Sequence, residues 1–404
     1  MAEEDLDLSF FVRVLSFHVP FQLPRTESVS FSKSYSNYLS NPDIADAIQI
    51  LESTREEVVN QGKLRDRDDG GMIAAIDQFY PYEFQLVKSV MKNTNGVMLT
   101  GKLEFEWFGG LASGKNTDRN KDQALMFDLC ISLSAKALAL ANLATLTIPE
   151  YGAAIAMLKD AAGIMSFLAQ ENLPDRYKLV ESNGSIQQGL STFFLAKAQL
   201  IAVAKALTGA EPKYSTVAKL CIGAQNMMKR AVETMRRSNA LYAKLPGDFL
   251  RLFTLYHYLS EALAHYCLAR HAYAQTEVGK AVAYIQQANR LVQQRASITS
   301  KGLPELDGDL RRVRGDIQLL RAHVAGLEET YSRDNSSVYF MAIPNPGDLE
   351  IVSGVVMMQP TPFAPPDMPI LPFESGDGLT SCELQHSDSE LARELQEKLN
   401  AGEA

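Results

Sequence analysis

The stretch "WFGGLASGKNTDRNKDQALMFDL", residues 107–129, decides between two folds. Gly109, Gly114 and Lys115 fit the first seven positions of a G-x-x-x-x-G-K-[ST] phosphate loop, a β-rich run over 97–108 precedes them and a helical pattern follows. That reading makes the protein an α/β nucleotide hydrolase. The last position fails, because Asn116 stands where the magnesium-binding hydroxyl belongs and Thr117 arrives one residue late. A phosphate-loop enzyme also needs a parallel sheet and a second acidic strand, and no further strand–helix–strand unit follows. The stretch is therefore read as a glycine-rich loop leading from a β edge into a helix.

Outward from it the dominant signal is helical from Asp43 onward. Ile155, Leu158, Ala162 and Met165 step by three and four, as do Ala281, Ile285, Ala288 and Val292. Leu306, Leu310, Val313, Ile317, Leu320, Val324, Leu327 and Tyr331 continue the same steps, which predicts a long helix with a seam for a neighbour. Breaks with Pro or Gly fall at 147–152, 172–177, 208–214, 244–248 and 300–306. Stacked antiparallel helix hairpins of tetratricopeptide type follow, without a strict repeat. The fold class expected is mostly α, with a small sheet or hairpin made from "FFVRVLSFHVPF" (10–21) and "GVMLTGKLEFEWF" (96–108).

The chain has 404 residues, 46% hydrophobic and 22% charged, enough for a substantial core. No apolar run is expected to cross a bilayer, and neither a signal peptide at MAEEDLDLSF nor a C-terminal prenylation box is read. A cytoplasmic protein is expected. Cys130, Cys221, Cys267 and Cys382 form no C-x-x-C pair and are read as buried thiols. His257, His265, Cys267 and His271 suggest a metal cluster until wound on a helix, where His257 and His265 diverge by about 80°. No catalytic residues, metal or cofactor are expected.

Net charge is −9, unevenly spread. Residues 374–404 carry a local −6, whereas 205–245 carry a local +6 from Lys205, Lys213, Lys219, Lys229, Arg230, Arg236, Arg237 and Lys244 against Glu211 and Glu233. A basic stretch on an acidic protein suits an acidic peptide or lipid surface; nucleic acid, which calls for a broadly basic face, is not expected.

After Tyr331 the sequence turns proline-rich, with eight of the 17 prolines between Pro344 and Pro372, so this region cannot be helical. Its content of Val338, Tyr339, Phe340, Val355, Val356, Met357, Met358, Phe363, Ile370, Leu371 and Phe373 favours an extended strap packed along the helices over exposed P-x-x-P ligands. A polar linker follows, then "SDSELARELQEKLNAGEA" (387–404), with a capping box at Ser387 and Glu390 and a stripe of Leu391, Leu395 and Leu399. The domain organisation expected is 1–373, with a helical core over 121–331 and a strap over 332–373, then an acidic linker and short helix over 374–404.

Taken in order, "AAIDQFYPYEFQLV", "LEFEWFGG", "QALMFDLCISLSAKALALANLA", "LSTFFLAKAQLIAVAKAL", "VAKLCIGAQNMMKRAVE", "AHYCLARHAYAQTEVGKAVAYIQQANRLV" and "DNSSVYFMAIPNPGDLEIVSGVVMMQPTPF" resemble the Bro-one domain family over 9–373. Asp128 stands where that family has asparagine, and Gly109 and Gly110 replace a polar pair. The resemblance implies a boomerang-like helical domain and an ESCRT-associated adaptor. In that family a groove takes up acidic amphipathic C-terminal helices of ESCRT-III subunits in endosomal sorting and membrane remodelling, and membrane association comes through partners. Matched onto this chain, the partner-binding positions are Ala202, Thr216 and Leu220 as apolar anchors, with Lys205 and Lys219 as cations. Ala202 replaces an aromatic and Thr216 a branched aliphatic, which leaves a second expectation: a signalling or cytoskeletal scaffold of the same domain that does not bind ESCRT-III. Residues 388–400 are an acidic helix of the kind such a groove takes, and so an intramolecular candidate for it.

Overall fold

The computed structural model describes residues 8–93, 96–112, 118–171, 178–295, 301–350 and 352–373. Its helices are α1 (Ser9–Ser16), α2 (Phe31–Ser34), α3 (Pro42–Lys63), α4 (Asp69–Lys92), α5 (Leu125–Leu146), α6 (Tyr151–Gln170), α7 (Gly184–Leu207), α8 (Tyr214–Met235), α9 (Asn239–Tyr242), α10 (Gly247–Ala274), α11 (Val278–Val292) and α12 (Arg314–Asp334). From α3 to α8 each long helix packs on its predecessor, α10 packs on α8, and α11 and α12 extend the array. Proline or glycine sets several of the boundaries. Pro42 opens α3 behind the Asn41 cap, Asn183 caps α7, and Pro246 precedes α10. The turn between α10 and α11 lacks both residues: Thr276 itself takes φ 60°. The expected break at 172–177 lies outside the described residues.

Two expectations are corrected. "SFFVRVLS" is the helix α1, not a strand, because Phe10, Phe11, Val14 and Leu15 form one buried stripe against α7 and α12. The sheet instead comprises β1 (Arg25–Thr26), β2 (Phe105–Phe108) and β3 (Arg119–Asp122), in the order β1-β2-β3 and wholly antiparallel. The seam from Leu306 is buried as expected, but Gly308–Val313 winds as a 3-10 turn and α12 starts only at Arg314.

The antiparallel sheet removes the phosphate-loop reading. Gly114, Lys115, Asn116 and Thr117 lie outside the described residues, but the loop's start has another role. The backbone N–H groups of Gly110 and Leu111 donate to Oε1 of the buried Glu181, the latter over 2.6 Å. The anion cradled there is a carboxylate of the same chain. A side chain at 110 would overlap the Gln22 carbonyl, so the position needs glycine.

Behind the sheet, Arg55 and Asp128 form a buried ion pair that Trp107 joins, with Nε1 donating to Asp128 over 2.6 Å. Across the array, the buried Lys197 Nζ donates to the carbonyls of Leu15 (2.9 Å) and Phe17 (2.7 Å) and to the Tyr256 hydroxyl (2.7 Å). It thereby caps the C-terminal end of α1 and ties that helix to α7 and α10.

Helices α5, α6 and α7 are long and apolar enough to cross a membrane by length and composition, contrary to the sequence expectation. The reason is their alanine content, read as close packing from the sequence; α5 and α7 are largely buried within the array.

After a π turn over Asn335–Tyr339 and a left-handed Phe340, the chain from Met341 to Phe373 forms no α-helix among its described residues and is extended apart from a 3-10 turn at Pro346–Asp348, starting later than the expected 332. It recrosses the helices from α11 to α4. Tyr284 Oη donates to Glu350 O (3.0 Å), Val355 N to Lys219 O (2.9 Å), Thr361 N to Lys159 O (3.1 Å) and Leu371 N to the Ser89 hydroxyl (2.9 Å). Where it crosses α11, α8 and α6, the carbonyls of Ala342, Val355 and Thr361 rest on Gly279, Gly223 and Gly163. A Cβ at any of the three would overlap that carbonyl. The strap is thus seated mainly by its backbone. Met358, Leu371 and Phe373 are buried and Phe363 packs on Phe167 at 5.0 Å, while Val338, Phe340, Met341, Val355, Val356, Met357 and Ile370 stay exposed, against the expectation that its apolar side chains are covered.

Candidate functional site

The five positions expected to bind a partner come together where the end of α7 meets the start of α8. Ala202 is half-buried, whereas Lys205, Thr216 and Lys219 are exposed. Leu220 is buried, 7% exposed, so its side chain belongs to the packed core and it offers little surface to a partner. Helix periodicity explains the split. On α8, Thr216 and Lys219 lie on the outer face, and Leu220, about 100° further round from Lys219, turns inward.

Sequence reasoning missed Gln199 and the strap segment Val355–Met357. The buried Gln199 side chain donates from Nε2 to Leu220 O (2.7 Å) and Val355 O (2.9 Å) and accepts from Met357 N (2.9 Å). One amide therefore joins α7, α8 and the strap, which lays three exposed apolar side chains beside Lys219: Val355 (42% exposed), Val356 (41%) and Met357 (58%). A lone glutamine inside the apolar "AKAQLIAVA" was the available signal. The pairing across 156 residues was not readable from periodicity.

Several surface cations are paired within the chain: Lys136 with Asp77, Lys244 with Asp118 (2.6 Å), Arg251 with Asp248 and Asp307, and Lys121 with Glu104 and Glu106 (3.1 Å each). Among the described residues, Lys205, Lys213, Lys219, Arg230 and Arg237 form no ion pair, and Lys229 reaches Glu233 only at 4.0 Å. Unpaired cations beside exposed apolar side chains suit an amphipathic ligand with acidic flanks.

A cavity of about 220 Å³ opens between α8 and α10, lined by Ile222, Gln225, Glu261, His265, Leu268 and the strap residue Val352. Gln225 Nε2 donates to Glu261 (2.9 Å). Burial holds the His265 pKa below its ordinary value, with Glu261 opposing, so the imidazole is neutral at physiological pH.

The groups that catalysis would use are placed for packing. Cys130, Cys221 and Cys267 are buried, and burial pushes the thiols of Cys130 and Cys267 well above the ordinary range, the opposite of an activated nucleophile. Cys382 lies outside the described residues. His257, His265 and His271 occupy differently buried positions along α10, and among the described residues no three His, Cys, Asp or Glu side chains converge on a metal position.

Comparison with known proteins gives a consistent result. The family model of the BRO1-like domain matches residues 18–379. Human tyrosine-protein phosphatase non-receptor type 23 is 24% identical over 209 residues, which is 51% of this chain and 12% of that protein. The mouse protein of the same name is 23% identical over the same share. The chain thus spans about an eighth of the length of the curated relatives it matches. Among solved structures, the ALIX BRO1 CHMP4C complex superposes with a TM-score of 0.68 at 18% identity, covering 86% of this chain and 95% of that one. A Bro1 domain structure described as a basis for endosomal targeting gives 0.67 at 16% identity, covering 85% and 92%.

Proposed function

This chain belongs to the BRO1-like domain family, and from that premise we propose that it is a non-enzymatic, ESCRT-associated adaptor that binds acidic amphipathic helices of ESCRT-III subunits. The observation that carries the reading is the α7–α8 face: Lys205, Lys213 and Lys219, unpaired within the described chain, flank a half-buried Ala202 and the exposed Val355–Met357. A ligand helix lays its apolar stripe against Ala202 and the strap, and its carboxylates meet the lysines. Thr216 offers a hydroxyl where an aliphatic would add contact, and Leu220 supports the face from beneath. The ALIX BRO1 module, solved with CHMP4C, makes CHMP4C the first ligand to test.

The phosphatase name of the curated relatives does not extend to this chain, which matches only 12% of the human protein, and the buried thiols support a binding role. Recruitment to endosomal membranes through such partners, from a cytoplasmic pool, follows from the same reading. The domain body is proposed to end near Phe373, the last buried position among the described residues, with 374–404 an appended acidic segment.

Calorimetric titration of the purified chain with synthetic C-terminal helices of ESCRT-III subunits, CHMP4C among them, tests this. Saturable binding that weakens with salt supports it. A folded chain that binds none of them favours the alternative, a scaffold of the same family serving another partner, for which Ala202 and Thr216 in place of larger anchors are the specific argument.

A further inference from the structure

The last described residue of the strap, Phe373, packs against Tyr35 and Tyr38 with ring centroids 5.8 and 5.1 Å away, and its carbonyl accepts from Asn93 at the end of α4. Residues 374–404 continue from that fixed point. They carry Leu391, Leu395 and Leu399 at helical spacing, with Asp388, Glu390, Glu394 and Glu397 outnumbering Arg393 and Lys398.

Two surfaces lie within reach. The nearer is an apolar groove between α2 and α3, lined by Val29, Leu39, Ala45 and Ile48, but Glu52 and Glu56 line it too and repel an acidic helix. The farther is the α7–α8 face with its unpaired lysines and exposed Val355–Met357. From α4 to α8 there are four successive helix contacts, roughly 40 Å at about 10 Å each. Residues 374–387, fully extended at about 3.5 Å each, span roughly 50 Å. Reach allows both surfaces, and charge selects the second.

We propose that residues 388–400 dock on this α7–α8 face, with Leu391, Leu395 and Leu399 against Ala202 and Val355–Met357 and with Glu390, Glu394 and Glu397 facing Lys205, Lys213 and Lys219. The segment is covalently attached, so it competes for the site intramolecularly and masks it from weaker ligands. The proposal rests on reading the face as an acidic-helix site, and it adds to that reading a built-in competitor that a partner must displace.

The test uses the full chain with the photo-cross-linker p-benzoylphenylalanine at position 395. Irradiation is expected to give an intramolecular cross-link, independent of protein concentration, mapping to 202–222 or 355–357. That cross-link fades in 0.5 M salt, as roughly 4 Å Debye screening requires, and in the Glu394→Lys, Glu397→Lys variant. In that variant a CHMP4C C-terminal helix binds about tenfold more tightly than to the unaltered chain. Cross-links confined to 28–56, or none, overturn the proposal, as does unchanged affinity in the variant. A cross-link at the expected place with no CHMP4C binding to either chain instead rejects the partner reading and leaves the docking intact.

Discussion

Arg55 and Asp128 meet in a bidentate ion pair, Nε to Oδ2 and Nη2 to Oδ1 both at 2.9 Å, at the junction of α3, α5 and the sheet. The guanidinium also reaches Thr26 Oγ1 (2.8 Å) and the Glu27 carbonyl (2.7 Å), so one buried arginine joins a helix to the edge strand. Removing one partner strands the other charge in the interior, which costs about 3–5 kcal/mol. Arg55→Ala is expected to lose that much in urea unfolding. Asp128→Asn should lose less than Asp128→Ala, because its amide oxygen still accepts from Arg55 or Trp107, and the buried Glu83 nearby is available to ionise as the replacement counter-charge. Adding Glu83→Gln to Asp128→Asn then restores the full penalty. Equal costs for Asp128→Asn with and without Glu83→Gln would refute this account of Glu83.

Glu83 also sets a pH dependence. Burial, then the charge of Asp128, pushes its pKa well above the ordinary 4.5, so the folded state holds a proton that the unfolded state releases. Stability from this group is therefore full below about 4.5 and is lost as pH rises toward the folded pKa, at about 1.4 kcal/mol per unit of elevation. Glu83→Gln should raise the Tm at pH 7 and leave it unchanged at pH 4. A loss of Tm at pH 7 would mean that the carboxylate is ionised in the fold.

The strap supplies a paired prediction on glycine. Alanine in a helix normally stabilises by about 0.5–1 kcal/mol over glycine. Gly326→Ala on α12, with open space around it, should show that gain. Gly223→Ala should invert the sign and lose about 1–3 kcal/mol, because the new Cβ meets the Val355 carbonyl. Amide exchange over 341–373 should quicken in Gly223→Ala alone.

Lys197→Met keeps the apolar stem but takes a donor from the carbonyls of Leu15 and Phe17, the latter keeping the Tyr256 hydroxyl. A loss of about 1–3 kcal/mol is expected, with exchange over α1 rising before that of α7. Uniform change across both helices would assign Lys197 to general core packing instead.

The array was legible because its helices combine steps of three and four with Pro or Gly at most breaks. Where two periods fit one string, the sequence failed. "SFFVRVLS" satisfies alternation as well as a helical stripe, and only contact with α7 and α12 selects the helix. Leu306, Leu310 and Val313 keep the same steps through a 3-10 turn as through an α-helix. At the site, charge was readable and burial was not. Lys205 and Lys219 face solvent, but Leu220 turns inward into the packed core, a tertiary fact. The contribution of Val355–Met357 depends on a strap that returns from the far end of the sequence.

The α7–α8 face is proposed to bind an acidic amphipathic helix through its unpaired lysines. The most direct test is a fluorescence-anisotropy titration of a labelled CHMP4C C-terminal helix against the chain and its Lys205→Glu, Lys219→Glu variant, which changes two exposed side chains and should leave the Tm unaltered. Saturable binding is expected, which the double reversal weakens by at least about tenfold, with a shallower salt dependence. Equal binding by both proteins, or none by either while both remain folded, would contradict it.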